Sequence, residues 1–434
     1  MISSGRIAVD PSAPLPLAGY AARHALASPS TDVLEANWMA WQEPNAGLSL
    51  ILTLDTLFSS SSFEAALRDH LAGQGVALEN LAVIASHTHF APSIDPEKPN
   101  LGVCDPEYID HVAKQVTRSV LGGLDTAKSI TRVSAHRSVA PGSIYRRRRG
   151  VRVVKRWPLL ERGAQMLPNA KRPIPRTVRI WRFEAAAGGA AFALVSWPCH
   201  PVSRSDSNAI SADYIGPLRT MLRKHLGENC PVLFLPGVCG DIRPDFRGKR
   251  KLRDIYPYLW QKGFAGADAR LEKAFDAGLC HAAETALTAE ADMTWDATAA
   301  QCSIDTVRID LADLLGAPQT ETMTISAVSV CGLHVLAAGA ELTSTWLAEL
   351  GWTGDEPDRI LTGYTGACFG YLPTDDQIAC GGYEVSGFAG PFGLKGGYDP
   401  ARPVGPIVLK AFEKVTDQSQ ITRDQQAARP GQAQ

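Results

Sequence analysis

Apolar and polar positions alternate along this chain in two rhythms. Short runs, almost wholly apolar, occupy Leu48–Leu54, Leu81–Ser86, Phe192–Trp197, Val232–Pro236, Thr322–Val330, His334–Ala338 and Arg359–Gly363. Each ends near Gly, Pro or polar residues, as strands buried on both faces do. Longer stretches with spaced apolar positions predict helices over Ser61–Gln74, Pro106–Leu121, Ala212–Leu226, Ala267–Leu287 and Thr343–Glu349. The second has a defined start, with Asp105 as N-cap, Pro106 at the first helical position and Glu107 in the first turn. Strands alternating with helices predict an α/β fold. No internal repeat is visible. The segment Tyr145–Pro175 fits neither rhythm and is expected to be a surface insertion. The polar stretch 422–434 is expected to be a disordered tail.

Charge changes this picture in one place. The chain of 434 residues carries 43 Lys+Arg against 45 Asp+Glu, a net charge of −2. Thirteen of the basic residues and one acid, Glu161, fall between Arg146 and Arg182. One basic block therefore sits in an acidic protein. The near-neutral total argues against a nucleic-acid binder. Composition is that of a globular protein, with no run of about 18 apolar residues to span a membrane. Nine scattered Cys without a CxxC pair, and no apolar leader, point to a cytoplasmic chain with reduced thiols.

The chemistry-bearing residues cluster at strand ends. HExxH, GxSxG, P-loop and dinucleotide-binding patterns are all absent. His87 and His89 follow the run ending at Ser86, and at i and i+2 in extended backbone they face one side. Cys199 and His200 follow Trp197. Gly237, Gly240, Asp241, Arg243 and Asp245 follow Pro236, where the two glycines permit a turn with free N–H groups for an oxyanion. Glu341 follows Ala338, and Tyr364, Tyr371 and Tyr383 follow Gly363. A carboxylate beside so apolar a strand needs a partner or a metal. His, His and Glu at strand ends suit a catalytic zinc site, and ligands of α/β sheets bind at strand carboxyl ends.

These residues resemble, in order, the catalytic region of the neutral (alkaline, non-lysosomal) ceramidases. The likeness rests on Pro16-Leu-Ala-Gly19-Tyr20-Ala, Ser86-His87-Thr88-His89, Cys199-His200 with Ile210-Ser211-Ala-Asp213, Gly240-Asp241-Ile242-Arg243-Pro244, Gly339-Ala340-Glu341, and Tyr371-Leu-Pro-Thr followed by Tyr383-Glu384. It runs from about Ile7 to about Pro403. It implies a single large zinc-hydrolase domain over 1–421, with mixed sheets flanked by helices and the basic insertion at about 145–175. It implies zinc held by His87, His200, Glu341 and Tyr371, with His89, Tyr383 and Arg146 catalytic. Asp241 or Asp213 would orient a ligand His from behind. The implied activity is hydrolysis of an N-acyl amide bond, in ceramide or a related lipid, by a metal-activated water. The chain departs from the family at Arg243, where the family has Ser. Neither the family's immunoglobulin-like domain nor its secretory leader has a counterpart here.

Arg243 is read as pairing with Asp241 or Asp245, as binding a substrate anion, or as occluding the site. The basic block, Arg146–Arg149 above all, is a solvated loop, a guide for anionic substrates, or a patch for an anionic membrane surface. Two other functions stay open: a zinc hydrolase for a different, anionic amide or ester, and an inactive lipid-binding pseudoenzyme.

Overall fold

The computed structural model describes residues 1–20, 23–30, 32–42, 47–153, 160–247, 263–298, 301–316 and 319–427. Within them the strands form three large sheets and two small ones. The first sheet runs β1 (Ser3–Ala8), β2 (Glu35–Gln42), β3 (Leu48–Leu54), β4 (Leu78–Ala85), with β3 and β4 parallel. The second runs β10 (Val232–Leu235), β9 (Ala190–Ser196), β8 (Thr177–Ala185), β5 (Ile130–Val139), β12 (Met293–Asp296), with β9 and β10 parallel. The third runs β13 (Ser303–Asp310), β14 (Thr322–Val330), β15 (Leu333–Ala338), β17 (Arg359–Thr362), with β15 and β17 parallel.

Side-chain alternation along these strands builds four layers. In β3, Leu48, Leu50, Leu52 and Leu54 point to one core and Ile51 to another. In β9, Ala193 and Val195 join the first core and Phe192 and Leu194 the second. Helices α1 (Ser61–Ala72), α2 (Pro106–Gly123), α3 (Ile215–Leu226) and α4 (Ala269–Thr288) close the first core. The second core lies between the first two sheets and the third, which presents Ile304, Val328, Val330, Val335 and Ile360 to it. The third sheet turns Ile309, Met323, Ile325 and Leu336 the other way, where α8 (Gly405–Ala427) packs on β13 and β14. The order is helices, sheets, sheet, helix, each sheet buried on both faces. No helix among the described residues is long and apolar enough to cross a membrane.

Two expectations need correction. Within Tyr145–Pro175, residues 145–153 and 160–169 are strands rather than a loop, and 154–159 lie outside the described residues. β6 (Ser143–Val153) and β7 (Leu160–Asn169) form an antiparallel hairpin joined on its other edge by β11 (Ile242–Pro244). Helix α8 continues to Ala427, so residues 422–427 are helical rather than a disordered tail. The rest of that tail, 428–434, lies outside the described residues. The short elements α5 (Leu311–Leu315), β16 (Glu341–Leu342), α6 (Trp346–Glu349), β18 (Tyr371–Leu372) and α7 (Asp375–Ala379) complete the chain.

Candidate active site

The carboxyl ends of the parallel strand pairs in the three large sheets converge on one buried centre. His87 follows β4, His200 follows β9, and Tyr364 follows β17. Glu341 opens β16, which pairs in parallel with β18 so that Glu341 stands opposite Tyr371. His87, His200, Glu341 and Tyr371 are each at most 4% exposed.

Backbone geometry fixes how these side chains point. His87 and Tyr364 both have φ of +65°, a left-handed conformation costing about 1–3 kcal/mol per residue. Their rings stack at 4.3 Å. His87 Nδ1 lies 3.1 Å from the Leu57 carbonyl. His200 Nδ1 lies 2.6 Å from the Cys239 carbonyl and 3.1 Å from that of Ile242. A carbonyl only accepts, so both Nδ1 atoms carry a proton and both Nε2 atoms are the ones turned to the centre.

Those Nε2 atoms meet the carboxylate. His87 Nε2 is 3.3 Å and His200 Nε2 3.2 Å from the same Glu341 Oε2. Tyr371 Oη is 3.3 Å from His200 Nε2. His87 Nε2 has no hydrogen-bond donor among the described residues. One extra proton could satisfy one of these contacts, whereas one cation would satisfy them all. Ligand atoms placed about 2.0–2.1 Å from a tetrahedral zinc ion stand roughly 3.3 Å apart, so the donor set fits that metal.

Burial opposes ionisation of Glu341, but the facing His87 and His200 rings outweigh it and hold its carboxyl well below the usual range. Burial, then the Arg146 charge, push His200 down to about 4, so its imidazole is neutral. Burial pushes the Tyr371 phenol up, against the pull of Arg146.

Around this centre stand the other sequence-predicted residues. His89 is partly exposed, with its ring 4.9 Å from that of His87. The nitrogens of His87, His89 and His200 lie within 4.8 Å of one another. Neither His89 nitrogen has a partner among the described residues. Burial and the two neighbouring imidazoles push its pKa well below the ordinary value. Gly19, with φ of +101°, makes the place for it, because a Cβ there would come within 2.4 Å of His89 Nδ1. Tyr383 is partly exposed, and its ring lies 5.5 Å from that of Tyr371. Arg146 is buried, donates to Glu384 Oε1 at 2.8 Å and places Nη1 3.3 Å from His200 Nε2.

Several expectations change here. Neither Asp213 nor Asp241 orients a ligand histidine, since the backbone carbonyls of Leu57, Cys239 and Ile242 do so. Asp213 instead accepts from the Ser203 and Tyr214 amides, and Asp241 from Ser344 and Gln377. The glycine turn offers no oxyanion hole through Gly237 and Gly240, because those amides donate to Thr362 Oγ1 and the Leu342 carbonyl. Arg243 pairs with neither Asp241 nor Asp245. Asp245 belongs to Arg247, and the Arg243 guanidinium lies over the Phe264 ring at 4.4 Å. Finally, Arg146 and Arg147 are buried on Glu384, so they cannot rest on a membrane; Arg149 alone of the four is well exposed.

Sequence reasoning named Tyr364 as a strand-end tyrosine without a role, and gave Arg147 and Glu384 no part in the centre. Tyr364 donates to Glu341 Oε2 at 3.4 Å, and Glu384 anchors both arginines. A Glu directly after a site Tyr was the available signal for Glu384.

Scaffold and centre together define a mixed α/β protein with a metal-competent histidine–carboxylate site at its strand ends. No family model matches the chain, and no curated protein matches it. Solved structures do. Neutral ceramidase from Pseudomonas aeruginosa is 14% identical, with a TM-score of 0.69 over 98% of this chain and 74% of that one. A ceramidase complexed with C2 is also 14% identical, with a TM-score of 0.66 over 92% of this chain and 72% of that one. The fold of this chain is therefore that of the neutral ceramidases.

Proposed function

We propose that the protein is a zinc-dependent amidohydrolase that cleaves an N-acyl amide bond, as the ceramidase names of its structural neighbours suggest. The observation that carries this reading is the set of contacts of 3.2–3.3 Å joining His87, His200, Glu341 and Tyr371, the spacing expected around one tetrahedral ion. Those four residues would hold the zinc. Bound there, it supplies a Lewis acid for the amide carbonyl and lowers the pKa of water toward about 7.

The chain's own groups do the rest. The carbonyls of Leu57, Cys239 and Ile242 keep His87 and His200 in the tautomer a metal needs. His89, neutral and with no partner for its ring nitrogens among the described residues, accepts a proton from the attacking water and returns it to the leaving amine. Tyr383 stands beside Tyr371 on the accessible side, and its hydroxyl donates to the substrate's carbonyl oxygen. Arg146 Nη2, buried without a hydrogen-bond partner among the described residues, is a second donor for that oxygen. Glu384 holds Arg146 in place.

A screen of the zinc-loaded protein against N-acyl amides, including ceramides of several acyl lengths, tests the reading. Cleavage of at least one, lost in His89→Gln with zinc retained, is the expected result. No cleavage of any N-acyl amide would sink it.

A further inference from the structure

Arg243 stands at the centre's edge with no part in the chemistry above. It sits in β11, one residue after Ile242, whose carbonyl accepts from His200. Register with β6 sets Ile242 opposite Tyr145 and Arg243 opposite Ile144, next to the segment that carries Arg146. On the same flank stands Tyr20, whose phenol feels the Arg243 charge and whose ring lies 5.1 Å from that of His89. Arg243 is partly exposed and Tyr20 exposed.

Among the described residues, the neighbouring carboxylates are committed elsewhere. Asp241 serves Ser344 and Gln377, Asp245 serves Arg247, Glu384 serves Arg146 and Arg147, and Asp213 serves Ser203. Arg243 Nε is buried without a hydrogen-bond partner among the described residues. Its other contacts are soft: the Phe264 ring under the guanidinium and Met166 Sδ at 4.0 Å from Nη1. Burial and then the Arg146 charge depress its pKa to about 10, as expected of a cation short of counter-charge. A cation taken out of water without a partner is costly, so such a residue persists where a ligand completes it. The ring beneath it fixes the guanidinium plane while leaving N–H groups at its edge. A fork of that kind suits a planar oxyanion, and one guanidinium suits a single negative charge.

We infer that Arg243 binds a carboxylate of the substrate, and that the amide cleaved is an anionic N-acyl compound, an acyl chain joined through nitrogen to a carboxylate-bearing group. This rests on the amidohydrolase reading. Water adds across the C–N bond, giving a fatty acid and an amine that keeps the carboxylate.

The test compares N-dodecanoylglycine with N-dodecanoylethanolamine, which replaces the carboxylate by a hydroxymethyl group. Zinc-loaded wild type, Arg243→Gln and Arg243→Lys are assayed for kcat/KM on both. Binding of N-dodecanoylglycine to each is measured by calorimetry, and zinc content reports intact folding. The acid is expected to be preferred at least about tenfold, with Arg243→Gln cutting that preference and the acid's affinity by about 10- to 100-fold. Arg243→Lys restores only part, because a point charge does not reproduce the fork. If the neutral amide is cleaved as well as the acid and Arg243→Gln leaves the ratio unchanged, the inference falls and the amidohydrolase reading stands. If the acid binds through Arg243 but neither amide is cleaved, the subsite stands and its occupant is not a substrate of this reaction. If neither is cleaved and the acid's affinity is the same in Arg243→Gln, the inference is overturned.

Discussion

The charged cluster between β2 and α3 and the histidine cluster at the strand ends are both shut away from water, yet their hydrogen bonding differs. In the first, Glu35 and Asp55 face Arg219 and Arg223, and every carboxylate oxygen meets a donor. Among the described residues only Arg219 Nε lacks a partner there. In the second, Nε2 of His87, Nε2 of His200 and Oε2 of Glu341 crowd together, and the contacts that join them to their neighbours stand at 3.2–3.4 Å. A buried network whose acceptors have donors holds the fold, and one with surplus acceptors waits for a cation.

The largest expected effect comes from breaking the second cluster. Glu341→Gln should abolish zinc binding and cut amide turnover roughly a thousandfold, the several kcal/mol a Lewis acid contributes. Asp55→Ala should act on stability instead. Stranding Arg219 should cost about 3–5 kcal/mol in urea unfolding of the metal-free protein, with zinc stoichiometry unchanged.

The first cluster also predicts a pH response. Burial opposes ionisation of Glu35, but Arg223 and Arg219 outweigh it and bring its pKa down to about 2. Its folded pKa is depressed, so the stabilisation is complete above the ordinary carboxylate pKa of about 4.3 and is lost as pH falls toward 2. The loss should be about 3 kcal/mol in metal-free protein, and Glu35→Gln should flatten that part of the curve. A smaller change is expected of Gly19→Ala, about 1–2 kcal/mol, with kcat lowered through a displaced His89 and zinc retained. Arg149→Glu, on the exposed part of the basic hairpin, should change stability by less than about 0.5 kcal/mol and leave turnover alone.

Much of the scaffold was legible because buried parallel strands are written as apolar runs. β3 and β14 fall on the predicted residues, and β4, β9, β10, β15 and β17 within a few of them. The strands missed are mixed in composition for identifiable reasons. β2 contains Glu35 and Asn37, which the α3 arginines satisfy from a different part of the chain. β6 contains four consecutive arginines, two of them made tolerable by Glu384, 238 and 237 residues away. Pairings at such separations leave no local trace. The site was legible as strand-end His, Glu and Tyr, and the structure draws His87, His89, His200, Glu341, Tyr371, Tyr383 and Arg146 around one point. What could not be read were the backbone carbonyls that set the tautomers and the left-handed φ of His87 and Tyr364. The same holds for Asp213 and Asp241, whose partners are local loops and not the histidines.

The most direct measurement is a calorimetric titration of zinc into metal-free protein, with the metal content of purified protein as a control. One zinc per chain, lost in His87→Ala and in His200→Ala and retained in Asp213→Asn, is the predicted result. Zinc well below one per chain, or binding that His87→Ala and His200→Ala leave unchanged, would contradict the metal centre on which the account depends.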